Sequence, residues 1–439
     1  MQRLLIPAAL FLALLPVSLP AQQNQLHKHE SPPSDLVRFA LIVARHGVRS
    51  PTKSNTVLDR YSAQPWPAWP VEPGELTPRG ARLLELFGAY DRLWLTRDDL
   101  LPAGGCPPSD SFYFVADTDH RTIASARALA SGLAPDCNLP IHFQPQEPDD
   151  PIFHFLATYD PTESQRLAVQ QALEQRQSQF PAASYARVLK TLANILDPDS
   201  NSPKLKFLTQ PQTVSVGKSD HLADIIGPLA TSSSLSENLL LEYADGMQGA
   251  DLGWGRLKLQ DLPALLGLHT AYFDLAHRTP ALARAEASNL LQRILLTLEQ
   301  AATGAAVPGA IGPARTRLVL LDGHDTNLAG LAALLGLHWT LDGRADDTPP
   351  GAQLTFELHE NRRTQVQTIR IVYRLQTLGQ LRAATLLTER VPPATQVLAQ
   401  PECAGRTQCP LAAFQNAVGA AIDPAYLQHS FNEVRQAPQ

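Results

Sequence analysis

At 439 residues the chain exceeds what one hydrophobic core usually serves, so two domains, or one with a large insertion, are expected. Its 36 basic and 42 acidic residues leave a formal charge of -6, which argues against a general nucleic-acid binder but allows a local basic pocket. Beyond the N-terminus no segment has the length and apolar character of a transmembrane helix.

In chain order, Arg3 precedes an apolar run that ends near Pro20-Ala21. The run falls short of the roughly 20 apolar residues a span needs, so residues 1–21 read as a secretory signal peptide, with an uncleaved anchor as the alternative. A polar lead-in follows, and then Phe39-Ala40-Leu41-Ile42-Val43-Ala44, which predicts a buried strand. That strand delivers Arg45-His46-Gly47-Val48-Arg49-Ser50-Pro51. Three groups that can all be cationic repel one another unless an anion joins them. Helical spacing covers residues 77–93.

A second strand, residues 111–116, leads into Asp117-Thr118-Asp119-His120-Arg121-Thr122 and a helix over 121–133, with Gly132 as its stop. Residues 150–310 are dominated by Leu, Ala, Gln and Glu. They predict helices over 161–174, 182–196, 232–243, 262–276 and 279–300. A third strand, 317–321, leads into Asp322-Gly323-His324-Asp325-Thr326-Asn327 and a helix over 328–337 that stops near Gly336. Late strands over 353–358 and 366–375 suggest a hairpin turning through residues 360–363. The expected organisation is an α/β domain in two parts, 34–150 and 311–430, around a helical domain, 151–310. No internal repeat is present. Four cysteines in an exported chain point to disulfides. Cys106 with Cys137 and Cys403 with Cys409 is the simplest pairing, though three are possible, and neither spacing resembles a zinc site.

Ligands collect beyond the carboxyl ends of strands in open α/β sheets, so three strand ends carrying Arg, His and Asp point to one shared site. With phosphate as the anion, Arg45, Arg49 and Arg121 can hold nonbridging oxygens. His46 can attack in line through its unprotonated nitrogen. His324 can bind the phosphate, and Asp325 can protonate the leaving oxygen if its surroundings raise its pKa. Arginines supply the charge stabilisation, so no metal or cofactor is required. Each residue alone has a plainer reading. His46 can be a structural histidine, Arg121 a partner of Asp117 or Asp119, and His324-Asp325 a helix N-terminal pair. A serine nucleophile lacks its Gly-x-Ser-x-Gly elbow, and zinc at His324 with Asp322 or Asp325 lacks a known spacing.

These segments together resemble the histidine acid phosphatases, and within them the bacterial periplasmic 4-phytases. The stretch from Arg45 to Pro51 matches RHGxRxP, and Thr52-Lys53 continues the phytase form of that loop. Asp117 to Thr122 is similar to the segment carrying the family's third phosphate-binding arginine, and Gly323-His324-Asp325-Thr326-Asn327 to its catalytic HD segment. Agreement continues in Gly253-Trp254-Gly255-Arg256 and Asp347-Thr348-Pro349-Pro350-Gly351.

The resemblance implies a phosphoglycerate-mutase-like α/β core with an inserted, mostly helical domain and the site in the cleft between them. It implies His46 as phosphate acceptor, Asp325 as proton donor, and Arg45, Arg49, Arg121 and His324 as phosphate ligands. Thr52, Lys53, Asp117 and Glu237 would line the substrate pocket. The two cysteine pairs look like two of the family's bridges. The implied protein is a monomeric periplasmic acid phosphatase acting through phosphohistidine on a small phosphomonoester, phytate first, with no nucleic-acid partner and no membrane contact after signal cleavage. A glucose-1-phosphatase or broad phosphatase is the alternative within the class, and a non-catalytic phosphate-binding protein the alternative outside it. The segment Ala283-Arg284-Ala285-Glu286-Ala287 departs from the family, because Glu286 aligns with an arginine that reaches outer phosphates. Ser234 likewise replaces a methionine. Glu286 disfavours a polyanion, whereas Lys53 favours one.

Overall fold

The run Phe39 to Ala44 is apolar at every position because both faces of its strand are covered. Phe39, Leu41 and Val43 enter one core, while Ala40, Ile42 and Ala44 enter another on the opposite face. The computed structural model describes residues 35–144, 149–219 and 221–428. The expected signal peptide, 1–21, and most of the polar lead-in lie outside them.

The strand β1 (Asp35–Arg45) is followed by helices α1 (Asn55–Leu58) and α2 (Pro78–Arg97), strand β2 (Phe112–Ala116), helix α3 (His120–Leu133) and the short strand β3 (Ile141–His142). A mostly helical stretch follows: α4 (Glu163–Gln177), α5 (Ala186–Leu196), a hairpin β4 (Thr213–Val216) and β5 (Ala223–Ile226), then α6 (Pro228–Ala244), α7 (Leu262–Leu275) and α8 (Pro280–Thr303). The chain returns to the sheet with β6 (Leu318–Gly323) and α9 (Asp325–Leu334). A small hairpin, β7 (Thr340–Leu341) and β8 (Arg344–Ala345), precedes β9 (Gln353–Asn361) and β10 (Gln367–Leu375). Helix α10 (Leu378–Ala383), β11 (Ala394–Val397), β12 (Gln408–Pro410) and α11 (Leu411–Ala421) complete the described chain.

The main sheet runs β11-β10-β9-β1-β6-β2-β3, with β12 also on β10. Its β1-β6-β2-β3 half is parallel and its β9 to β12 half antiparallel. Side chains of α2 and α3 such as Phe87, Trp94, Leu129 and Leu133 cover one face. Leu291 and Ile294 of α8, Leu328 and Leu331 of α9, and Phe414 of α11 cover the other. This is the mixed α/β architecture that the strand-then-helix order predicts. A separate apolar cluster, including Leu173, Leu192, Leu239, Leu265 and Leu282, holds α4 to α8 together.

Two helix ends differ from expectation. Gly132 is not a stop; it lies inside α3, where an added Cβ would stand 2.0 Å from the Glu85 carbonyl oxygen of α2. The glycine is there so that two helices can touch backbone to backbone. α3 runs on to Leu133, and its C-cap Ala134, the residue before Pro135, leaves the helical region at φ -138° and ψ 75°. Helix α9 begins three residues before the expected start. Asn327 folds its carbonyl back onto the His324 amide at 2.8 Å and so caps the helix there. Both cysteine pairs form: Cys106 with Cys137 and Cys403 with Cys409, each with Cα atoms 5.5 Å apart.

Candidate active site

The register of the parallel strands brings the candidate residues together. Ala44 of β1 and Ala116 of β2 both lie opposite Asp322 of β6. One step further, the His46 amide donates to the Gly323 carbonyl at 2.9 Å, and the Asp117 amide to the Asp322 carbonyl at 3.0 Å. The His46 carbonyl in turn accepts from Gly351 at 3.0 Å. The loop after β1 is pressed onto α2: a Cβ on Gly47 would meet Leu84 Cδ1 at 2.7 Å, and the Gly47 amide donates to Ser125 Oγ at 3.0 Å. A larger residue at this position would have to displace the Leu84 and Leu76 side chains.

His46 is 2 % exposed. Its Nδ1 lies 2.8 Å from the Gly47 carbonyl, an acceptor, which places the ring proton on Nδ1 and leaves Nε2 with a free lone pair. Burial first, then Arg45, Arg49, Arg121 and His324, push its pKa well below the ordinary histidine value. The shift favours the neutral ring, the form in which Nε2 can act as a nucleophile.

Arg45 is 1 % exposed and donates to the Thr348 carbonyl at 2.6 Å, to Glu237 and to Asp325 Oδ2 at 2.8 Å. Arg49 reaches the other Glu237 oxygen at 3.2 Å. Glu237, from α6, thus lies between the two arginines. Burial would raise its pKa, but Arg45 and Arg49 hold it far below the usual carboxylate range. Arg121 pairs with Asp119 at 2.5 Å and stands 3.5 Å from His324 Nδ1.

His324 donates from Nε2 to Asp117 Oδ2 at 2.7 Å, and the same oxygen accepts from His154 Nε2 at 2.9 Å. Asp117 is expected on the pocket wall; it is instead fully buried behind His324, its carboxylate taken up by two imidazoles. Burial opposes its ionisation, yet the two histidine hydrogen bonds hold its pKa well below ordinary. Burial lowers the proton affinity of His324 despite Asp117, whereas for His154 the Asp117 carboxylate overcomes burial and raises it.

Asp325 corrects a second expectation. The acid role calls for a raised pKa, and burial does push that way, but Arg45 at 2.8 Å reverses the direction to a lowered one. His269 Nε2, at 3.9 Å from Asp325 Oδ2, adds to the same effect. His269 and His154 are missed by the sequence reading. Each is a single histidine in a segment with no motif around it, and only the fold brings them in. Thr52 and Lys53 are exposed on the loop before α1. Thr52 lies across Gly74 from Arg121: a Cβ on Gly74 would be 3.8 Å from one and 3.9 Å from the other.

On α8, Arg284 is exposed, while Glu286 lines a cavity and accepts from His277 Nδ1 at 2.9 Å. Ser234 faces solvent. Among the described residues two groups, Asp117-Asp119-His154-His324 and Glu237-His269-Asp325, have donor atoms close enough to hold a cation. In both, the acidic members already have basic partners: the two histidines and Arg121 in one, Arg45 and Arg49 in the other.

The model of the histidine phosphatase superfamily (branch 2) matches residues 36–374. The chain is 35% identical over 97% of its length to phytase AppA of Escherichia coli K12, of which it covers 99%. It is 30% identical to a glucose-1-phosphatase of Salmonella typhimurium, over 87% of this chain and 91% of that protein. Among solved structures, Hafnia alvei phytase in complex with myo-inositol hexakis sulphate superposes with TM-score 0.81 at 32% identity, covering 91% of this chain and 100% of that one. Citrobacter braakii phytase superposes with TM-score 0.82 at 31% identity, covering 90% and 100%.

Proposed function

Since the chain belongs to branch 2 of the histidine phosphatase superfamily and is a phosphoric monoester hydrolase, we propose that it is an exported acid phosphatase with His46 as acceptor and phytate as its leading substrate. The observation that carries this reading is the neutral His46 Nε2 surrounded by Arg45, Arg49, Arg121 and His324 at three adjacent strand ends. Residues 1–21 serve as the export signal to the periplasm, and residues 151–310 as a helical domain beside the α/β core.

The arginines take the nonbridging oxygens, and His324, with Nε2 kept on Asp117, joins them from Nδ1 when the phosphate dianion holds a second proton on its ring. His46 Nε2 forms a bond to phosphorus as the ester P–O bond breaks, and the departing oxygen takes the proton of Asp325. His46 keeps its Nδ1 proton on the Gly47 carbonyl throughout. Water then attacks phosphorus, Asp325 accepts its proton, the N–P bond breaks and phosphate leaves. An arriving phosphate competes with Glu237 and Asp325 for Arg45. Once Arg45 turns to the phosphate, burial dominates at Asp325 and raises its pKa, as a general acid requires. Asp117 acts through His324, holding its ring, and Thr52, Lys53 and Glu237 border the substrate.

A glucose-1-phosphatase is the second reading, favoured by the carboxylate of Glu286 in the adjoining cavity wall. A panel of phytate, glucose 1-phosphate and an aryl phosphate at acid pH, run on the wild type and His46→Ala, tests both. The variant should fold normally and show no turnover; near-normal activity would sink the acceptor assignment. Hydrolysis of glucose 1-phosphate but not phytate would move the function to the second reading. Phosphate binding without turnover by the wild type would make it a non-catalytic protein.

A further inference from the structure

A cavity of about 210 Å³ opens beside the first turn of α9. Thr326, the residue after Asp325, is in its wall, and so is His154, whose ring stands 4.9 Å from that of His324. The cavity therefore adjoins the place where the leaving group of a bound phosphomonoester would emerge. Its ionisable lining is His154, His221, His277, Asp149 and Glu286. Among the described lining residues none is lysine or arginine. The contrast with the phosphate cradle is one of chemistry. Arginines stay charged at every working pH, whereas imidazoles change charge across the acid-to-neutral range.

The charges around this wall can be followed element by element. His277, just after α7, donates from Nδ1 to Glu286 of α8 at 2.9 Å. It packs against Phe273 and Tyr272, with ring centroids at 4.7 and 6.2 Å, and also feels Asp325. Tyr272 in turn faces Glu286 and Asp224. His154 is held by Asp117 and feels Asp149 and Asp119. The His221 carbonyl accepts from Arg166 of α4. Arg284, one turn-face away on α8, is exposed and outside the cavity. Asp149 and Glu286 give the lining two negative charges, which protonated His154 and His277 would offset.

Taking the phosphatase reading above as given, we propose that His277 and Glu286, with His154, are the specificity-determining wall of this enzyme, admitting leaving groups with further phosphates in acid and more weakly charged ones as the pH rises past neutrality. The scissile phosphate is held by arginines at either pH, so the pH of the medium selects the rest of the substrate rather than the reaction. Burial opposes protonation of His277, but Glu286 overcomes it and raises its proton affinity, as Asp117 does for His154. Glu286 therefore has two effects on a polyanion: it keeps a proton on His277 and it cancels the resulting charge.

The probe is myo-inositol hexakis sulphate, whose sulfates keep their charge over this range, compared with inorganic sulfate, which reads the arginine cradle alone. Calorimetric Kd values for both on the wild type, from pH 4.5 to 9, give a ratio in which titration of the cradle is largely divided out. The ratio should favour the hexakis sulphate on the order of 100-fold more at pH 4.5 than at 9. His277→Gln leaves Glu286 uncompensated, so it should weaken the hexakis sulphate about tenfold at pH 4.5 and flatten the pH profile. Glu286→Gln should tighten it about tenfold at that pH. A wild-type ratio that stays flat, or two variants that leave it unchanged, would overturn the proposal. Hydrolysis of an aryl phosphate, assayed separately, tests the phosphatase reading, so activity with a flat binding ratio would remove this inference and nothing else.

Discussion

Replacing Asp117 by asparagine keeps the shape of a fully buried side chain and removes its charge. The carboxylate accepts from His324 at 2.7 Å and from His154 at 2.9 Å. A hydrogen bond to a charged group contributes about 1.5–3 kcal/mol, which fits the buried His324. The His154 side chain is 37% exposed, so its bond is discounted to roughly 0.5–1.5 kcal/mol. An asparagine carbonyl recovers one neutral bond, about 1 kcal/mol. The net loss is about 1–3.5 kcal/mol, readable as a lower urea midpoint at pH 5.5.

The loss also frees the His324 ring to turn, so kcat/KM on an aryl phosphate should fall by about 10–100-fold. The pH dependence follows from the two shifted groups. The folded Asp117 pKa is depressed, so its contribution is full above the unfolded value near 4 and is lost as pH falls through the folded value. The folded His154 pKa is raised, so its share is full below about 6.5 and is lost as pH rises through the folded value. The stability gap between wild type and variant should therefore be widest near pH 5–6 and narrow on both sides. A variant with unchanged kcat/KM and unchanged stability at pH 5.5 would refute the positioning role. A gap that widens steadily towards pH 3 would refute the charge assignment.

Asp325→Asn should slow phosphoryl transfer from an alkyl phosphate by about 10²–10⁴-fold and from an activated aryl phosphate much less. Equal losses on the two substrates would reject Asp325 as the proton donor. Gly132→Ala places a methyl 2.0 Å from a backbone carbonyl of α2. Thermal unfolding should show a loss of about 1–3 kcal/mol, while the folded fraction keeps its wild-type kcat; an unchanged melting temperature would mean that the two helices part freely.

The candidate constellation was legible because its signal is local at each of three places. A run apolar at every position marks a strand covered on both faces, and a polar cluster at its end is conspicuous. What joined those clusters was the register of β1, β6 and β2, which no spacing in the sequence contains. Asp117 shows the limit. Its motif placed it beside substrate, but the packing of His154 against it turned it into a buried anchor. Gly132 shows another, because a glycine near a helix end reads as a stop, and only the path of α2 reveals a contact. β4 and β5 escaped notice because they are four residues each, exposed or half-buried, and too short to stand out within a helix-rich stretch. Glu286 was visible as a departure, but its histidine partner lies on the preceding segment and came only with the fold.

The pairing of β1 with β6 has a consequence for how the molecule comes into being. β1 is complete at Arg45, yet its parallel neighbour starts at Leu318, after the whole helical stretch has been made. Closing so long a loop is slow, and meanwhile β1 is an apolar strand with an open edge. During synthesis, export or refolding it is the segment most exposed to mispairing and aggregation. Because β6 also carries His324 and Asp325 into place, activity is a late reporter: it appears when the last of the parallel strands enters the sheet, and recovered activity counts finished molecules rather than collapsed ones.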